Sequence, residues 1–301
     1  MMPLRFEIGD LSAYLVSDGV FWVDGGAAFG VAPRVLWEQV IEPDRLHRVP
    51  MELRCLLIES DEGLILVDTG YGDKLSVKQR DRLALKGERR LIGELAALGY
   101  RPEDVRLVVN THLHADHCGG NTVVDADGRV APAFPNAQYL VQRLELADAV
   151  FPNERTRNTY FGDNFLPLGD PRRATLGGSD GALRVLDGDA WIASGVRTMI
   201  TPGHTRSHQV VIIESLGETA VFLADAASWA VSLARLAWVP AFDVEPLTSI
   251  ETKRALRDWA FREDALLLFQ HDIDVPAGWL CSDGKRWWVE PTAPDPSGFT
   301  S

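Results

Sequence analysis

Cysteine is scarce in this chain of 301 residues: Cys55, Cys118 and Cys281 are too few and too scattered for a disulfide framework. That excludes the small, stapled secreted class and makes the cytoplasm the default location. Basic charge is also short. The chain has 30 lysines and arginines against 43 acidic residues, a net charge of −13, and no basic block. A general nucleic-acid binder needs basic surface to neutralise phosphates, so that role is disfavoured. Long apolar runs are missing as well. The most apolar stretch, 219–242, is broken by Asp225, Arg235 and Pro240 and falls short of a membrane span. The opening "MMPLRFEIGDLSAYLVSDG" lacks the basic-then-apolar order of a signal peptide. No fixed-period repeat, low-complexity tract or clear linker divides the chain. With 46% hydrophobic and 24% charged residues, the expectation is one soluble domain over 1–301 with a substantial core.

Short apolar runs separated by turn residues give a coarse map. "LRCLLIES" (53–60) and "GLILVDTG" (63–70) read as a hairpin joined through "DEG". A helix is expected over 88–98, with Leu91, Ile92, Leu95 and Leu98 on one face, Gly99 as its cap and Pro102 beyond. Strands are expected at 105–110 and 137–142, then at 182–188, 195–201, 209–215, 219–224 and 265–270. A helix at about 249–262 is introduced by Thr248-x-x-Glu251, a capping-box pattern. Residues 1–50 are expected to supply strands and a loop near a pocket. Residues 152–182, rich in Pro, Gly, Asn and Asp, read as a surface excursion, and 280–301 as a C-terminal tail. The rhythm predicts an α/β protein with two similar halves.

What is abundant is histidine in one place. "NTHLHADHCGG" (110–120) holds three of the seven histidines and an aspartate within six positions. In extended backbone, His112 and His114 point the same way. Asp116 and His117 follow where the chain must turn, so they reach a neighbouring point. Imidazole nitrogen and carboxylate oxygen are ligands that Zn²⁺, Fe²⁺ and Mn²⁺ accept without thiolate. By chance such a pattern arises in on the order of one sequence in several thousand, so metal binding is the better reading. His204, Asp225 and His271 each stand at or just after the end of an expected strand, where an α/β sheet presents ligands to a site.

"THLHADHCGGN", "TPGHT", "LAD" and the late His271 resemble the successive metal motifs of the metallo-β-lactamase superfamily, and "VDTG" (67–70) resembles its first. The similarity runs from about Asp18 to about His271. Within the superfamily, 17–38, 134–145 and 238–246 resemble the branch of quorum-quenching N-acyl homoserine lactonases and methyl parathion hydrolase. The resemblance implies an αββα sandwich with a binuclear site at one edge of two packed sheets. It implies His112, His114 and His204 on one metal, Asp116, His117 and His271 on the other, and Asp225 bridging. Zinc is expected first, with iron, manganese or cobalt able to take its place.

Such a site implies a bridging water whose pKa falls from 15.7 to about 7, giving a hydroxide for attack on a carbonyl or phosphoryl centre. Asp116 is the expected proton shuttle and so the catalytic side chain. Asp68 is expected to orient a ligating histidine, and His208 to pack or hydrogen-bond behind the ligands. Cys118 reads as a small buried thiol. Trp22, Phe29, Ser228, Trp229, Trp238 and Phe242 are the candidate pocket residues. The best-known lactonases carry a tyrosine three residues after the bridging aspartate; this chain has Ser228 there. That weakens the homoserine-lactone expectation relative to aryl ester or phosphotriester hydrolysis. The same ligands would also serve a glyoxalase II-like thioesterase, and a subset of them a mononuclear iron persulfide dioxygenase. The expected partner is a small molecule with an apolar arm, with no nucleic acid and no membrane; a homodimer is left open.

Overall fold

The computed structural model describes residues 3–85, 90–169 and 179–292, and most of their strands fall into two mixed sheets packed together. The first sheet has the spatial order β1 (Leu4–Ile8), β2 (Leu11–Asp24), β3 (Arg48–Ser60), β4 (Gly63–Val67), β5 (Val105–Val109), β8 (Gln138–Gln142), β10 (Leu183–Leu186) and β9 (Ser179–Asp180). Strands β6 (Thr122–Val124) and β7 (Val130–Pro132) form a separate hairpin. Pairing is antiparallel from β1 to β4, then parallel through β5, β8 and β10. The second sheet runs in chain order: β11 (Ala190–Ala193), β12 (Val196–Ile200), β13 (Gln209–Ser215), β14 (Glu218–Phe222), β15 (Leu266–Leu268), β16 (Ala277–Ser282) and β17 (Trp287–Pro291). Only β14 and β15 pair in parallel there.

The period-two geometry of strands builds the layers. In β3, Leu56 and Ile58 join an apolar cluster shared with Val211, Ile213 and Phe222 of the second sheet. Cys55 and Leu57, one residue out of phase, pack instead with Leu91 and Leu95 of a helix on the outer face. The second sheet does the same: Val211 and Ile213 face inward, while Val210 and Ile212 face Leu256 and Ala260 of the helix Pro246–Arg262. A sheet that is apolar on both faces needs a cover on both, and the result is helix, sheet, sheet, helix.

Four expectations change. The late helix begins at Pro246, three residues before the expected start, with Glu245 at its N-cap and no side-chain capping bond. Proline is pre-set for the first helical position, so Thr248 and Glu251 lie inside the helix. The excursion at 152–182 is not all surface: Tyr160, Phe165 and Leu168 are buried in the outer cluster of the first sheet. Residues 280–301 include the end of β16 and all of β17, the edge hairpin of the second sheet. The helix expected over 88–98 is present as Leu91–Ala97; residues 86–89 lie outside the described residues. No helix among the described residues is long and apolar enough to cross a membrane.

Candidate metal centre

Strands β4, β5, β12, β14 and β15 all end at one edge of the two sheets, and the chemistry lies just beyond those ends. After β5, the chain carries His112 and His114, the latter in extended backbone, and then turns into the short helix Ala115–Cys118, which holds Asp116 and His117. His204 follows β12, Asp225 follows β14 and His271 follows β15. All of them are buried except Asp116, whose side chain is 18% exposed.

Their donor atoms converge in two groups: His112, His114, His204 and Asp225 in one, and Asp116, His117 and His271 in the other. Asp225 stands between them. Its Oδ2 lies 3.1 Å from His204 Nε2 and 3.2 Å from His117 Nε2, and its Oδ1 lies 3.3 Å from His271 Nε2. Asp116 Oδ2 is 3.6 Å from His117 Nε2 and 3.9 Å from His271 Nε2. His204 Nε2 and His114 Nδ1 are 3.0 Å apart. Two ligands each about 2.0–2.1 Å from a tetrahedral zinc lie ~3.3 Å from one another, so these spacings suit a shared cation. His112 Nε2 is buried with no hydrogen-bond partner, which is costly unless a cation takes its lone pair. The donor set therefore fits divalent metal.

The far nitrogen of several rings is tied down, which fixes the ring and the tautomer. His117 Nδ1–H donates to Asp68 Oδ2 at 2.9 Å. Asp68 also accepts from Thr111 N at 2.9 Å and Thr111 Oγ1 at 2.8 Å. His204 Nδ1–H donates to Asp243 Oδ1 at 2.8 Å, and Ser249 Oγ donates to the other oxygen of Asp243 at 2.5 Å. His271 Nδ1–H donates to the backbone carbonyl of Glu52 at 2.7 Å. His208 is not among the clustered donors. Its Nδ1 is 2.8 Å from Thr201 Oγ1 and its Nε2 accepts the Asp225 N–H at 3.2 Å, so it holds the backbone of Asp225 in place.

Electrostatics follow from this crowding. Burial, then the neighbouring imidazoles, holds His112 and His114 well below the ordinary histidine pKa, so both are neutral lone-pair donors. Burial alone would lower His117, but Asp116, Asp225 and Asp68 outweigh it and raise it well above the usual value. Burial opposes ionisation of Asp225, yet His204, His271 and His117 hold it well below the carboxylate range. Cys118 donates from Sγ to Leu113 O at 3.2 Å, and burial pushes its thiol up.

A cavity of about 430 Å³ opens beside the cluster, lined by His114, Asp116, His204 and Asp225 on its polar side. Ser228, Trp229 and Phe242 are in its wall. Trp22, Phe29 and Trp238 are not, which corrects the expectation. Strand alternation sends Phe21 and Val23 into the cavity and Trp22 to the other face. Phe29 sits one layer behind, stacked on Trp229 at 5.1 Å and edge-on to Trp238 at 5.7 Å.

Sequence reasoning missed Asp243, Glu145 and Tyr71. Glu145 is wholly buried; its Oε1 accepts from Leu113 N at 2.9 Å and Tyr160 O–H at 3.1 Å, and its Oε2 from Thr205 Oγ1 at 2.6 Å. It thus ties the loop of His112 and His114 to the loop of His204. The signal available was a charged residue at the start of a helix directly after an apolar strand.

Over 244 residues, 78% of this chain and 86% of the relative, the sequence is 28% identical to an N-acyl homoserine lactonase of Bacillus thuringiensis. The fold overlays a probable metal-dependent hydrolase from Staphylococcus aureus with a TM-score of 0.83 and 28% identity, covering 96% of this chain and 100% of that one. AidC, a dizinc quorum-quenching lactonase in complex with a product, shares the fold at a TM-score of 0.76 and 19% identity, covering 97% and 98%. The model of the metallo-beta-lactamase superfamily matches residues 54–271, the segment that carries Asp68 and all seven clustered donors. The chain belongs to the metallo-beta-lactamase superfamily and is a metal-dependent hydrolase.

Proposed function

We propose that this protein is a binuclear hydrolase of lactones or esters that carry an apolar arm, with long-chain N-acyl homoserine lactones as the leading substrates. The observation that carries the reading is Asp225, whose two carboxylate oxygens face ligands of both donor groups. The similarity to a Bacillus thuringiensis N-acyl homoserine lactonase supports the substrate class. Bound there, two divalent ions, zinc first, would supply a hydroxide nucleophile at neutral pH and polarise the carbonyl.

The chain's own residues do the rest. Asp116 is the one clustered donor with substantial exposure to the cavity, so its carboxylate can accept the proton of the attacking water and return it to the leaving alkoxide. Ser228 Oγ donates to Asp225 Oδ1 at 2.6 Å, which fixes the shared carboxylate. Phe21, Val23, Met51, Leu75, Trp229 and Phe242 give the arm an apolar wall. The serine in the tyrosine's place favours a second reading, aryl ester or phosphotriester hydrolysis.

The test is metal analysis followed by turnover. Purified protein is expected to hold close to two equivalents of divalent metal, and chelation to abolish activity. kcat/KM is then compared for a long-chain acyl homoserine lactone, an aryl acetate, an aryl phosphotriester and a glutathione thioester. A best rate on the thioester, or no turnover with both metals bound, sinks the proposal. A single tightly bound iron with oxygen consumption would point to the dioxygenase instead.

A further inference from the structure

Several neutral donors line the cavity, among them Asn158 and Trp229, whose Nε1–H is buried without a hydrogen-bond partner, but the hydroxyls nearest the chain of ligands are mostly engaged. The hydroxyl of Ser228 is spent on Asp225, and Thr159 Oγ1 donates to the carbonyl of Thr156 at 2.7 Å. The His204 Nδ1–H is spent on Asp243. Tyr71 lines the same cavity as His114, Asp116 and Asp225, and its hydroxyl has no hydrogen-bond partner among the described residues. A phenol, with an ordinary pKa of about 10, is protonated at neutral pH and able to donate.

The backbone holds Tyr71 in place without using that hydroxyl. Gly70 and Gly72 flank it at φ +67° and +65°, a region that side chains other than glycine rarely adopt. A Cβ on Gly72 would come within 2.8 Å of Gly119 O, and one on Gly119 within 2.2 Å of Tyr71 O. Tyr71 is therefore packed backbone to backbone against the turn that follows Asp116 and His117. Gly72 N–H donates to Asp18 Oδ2 at 2.9 Å. The ring meets Phe21 edge-on, with centroids 5.2 Å apart, and Phe21 in turn meets His271 edge-on at 5.9 Å. A phenol held in the cavity wall by glycine-limited backbone and an aromatic neighbour, with its donor unspent, is what a preorganised ligand contact requires.

We propose that Tyr71 is a catalytic residue whose hydroxyl donates a hydrogen bond to the carbonyl oxygen of the scissile ester or lactone. This rests on the hydrolase reading above. As a water oxygen adds to the carbonyl carbon, the π pair of the C=O bond moves onto the carbonyl oxygen. The Tyr71 O–H stabilises that charge and keeps its proton. When the pair returns, the carbon–oxygen bond to the leaving group breaks. The alkoxide takes the proton that the water gave to Asp116, so the products are an acid and an alcohol.

The experiment is Tyr71→Phe in the metal-loaded full chain, assayed on whichever of the four substrates above the wild type turns over fastest. We expect kcat to fall by about 10²-fold, the scale of losing one oxyanion donor, with KM nearly unchanged. Metal content and thermal midpoint should not move, because phenylalanine keeps the contact with Phe21. Calorimetric binding of N-hexanoyl-L-homoserine, whose carboxylate offers the same acceptor, should weaken by about tenfold, the worth of one hydrogen bond to a charged group. An unchanged kcat, or a fall that tracks lost metal or a lower melting point, overturns the role. If the wild type turns over none of the four, the hydrolase reading fails by itself, and equal binding of the hydroxy acid by both proteins then overturns the assignment of Tyr71.

Discussion

The two halves of the molecule furnish the site in opposite ways. The first half delivers four donors from His112 to His117, in one turn after one strand. The second half delivers His204, Asp225 and His271 singly, from the ends of three strands. The orienting partners differ too. His117 leans on Asp68, at the end of the neighbouring parallel strand, whereas His204 leans on Asp243, held by the helix residue Ser249. The first half is a local device that nearly specifies itself. The second works only when strand register brings distant residues level, and Glu145 and Asp225 link the two.

The largest expected effect comes from cutting that link. Asp225→Ala removes the carboxylate that faces both donor groups, and kcat/KM should drop by more than about 10³-fold, ~4 kcal/mol of transition-state stabilisation, with loss of about half the bound metal. Elemental analysis and kinetics on the same preparation decide it. Retention of both metals would show that the halves hold their ions independently.

Next is Asp116→Asn, which keeps the shape of the first-half turn but removes the carboxylate proposed as the base. Turnover should fall by about 10²-fold or more with KM little changed, since the lost interaction acts mainly in the transition state. Near-normal kcat would leave the first half as a metal holder alone.

A matched pair sharpens the comparison of orienting groups. Asp68→Asn and Asp243→Asn should each cost about 10- to 100-fold in metal affinity or activity. Metal titration of both variants measures it. A silent Asp243→Asn would mean that strand register alone suffices to aim His204.

The smallest expected effect on activity concerns Lys253, in the second half. Its Nζ is buried and donates to the carbonyls of Trp238 at 2.8 Å and Ser232 at 3.2 Å, pinning the segment that carries the cavity wall. Burial lowers its pKa from 10.5 to about 8. Below the folded value both folded and unfolded chains are protonated and the whole penalty is present. Between the folded and unfolded values the unfolded chain binds more protons, so this lysine's contribution makes stability rise with pH, by at most about 3 kcal/mol. Denaturant unfolding of wild type and Lys253→Met across that window should show the difference shifting toward wild type as pH rises. A constant difference would mean that Lys253 titrates normally in the fold.

The amino-acid sequence by itself determined the metal chemistry and the fold class. Histidines and aspartate crowded into 110–120 have no common structural use, and alternating apolar strands demand covered sheets wherever they occur. It did not reveal Asp243, because a lone aspartate in a loop looks like any turn residue until Ser249 and His204 close on it. Nor could it separate Phe21 from Trp22: both are aromatic, and only which face of the sheet borders the cavity decides which lines the pocket. Glu145 read as an ordinary helix-start acid, yet packing wholly buried it between two ligand loops. Side-chain type and short spacing are local and survive in one dimension. Which carboxylate meets which imidazole, and which aromatic faces the substrate, depends on strand register and on loops from opposite sheets, and only the tertiary structure decided it.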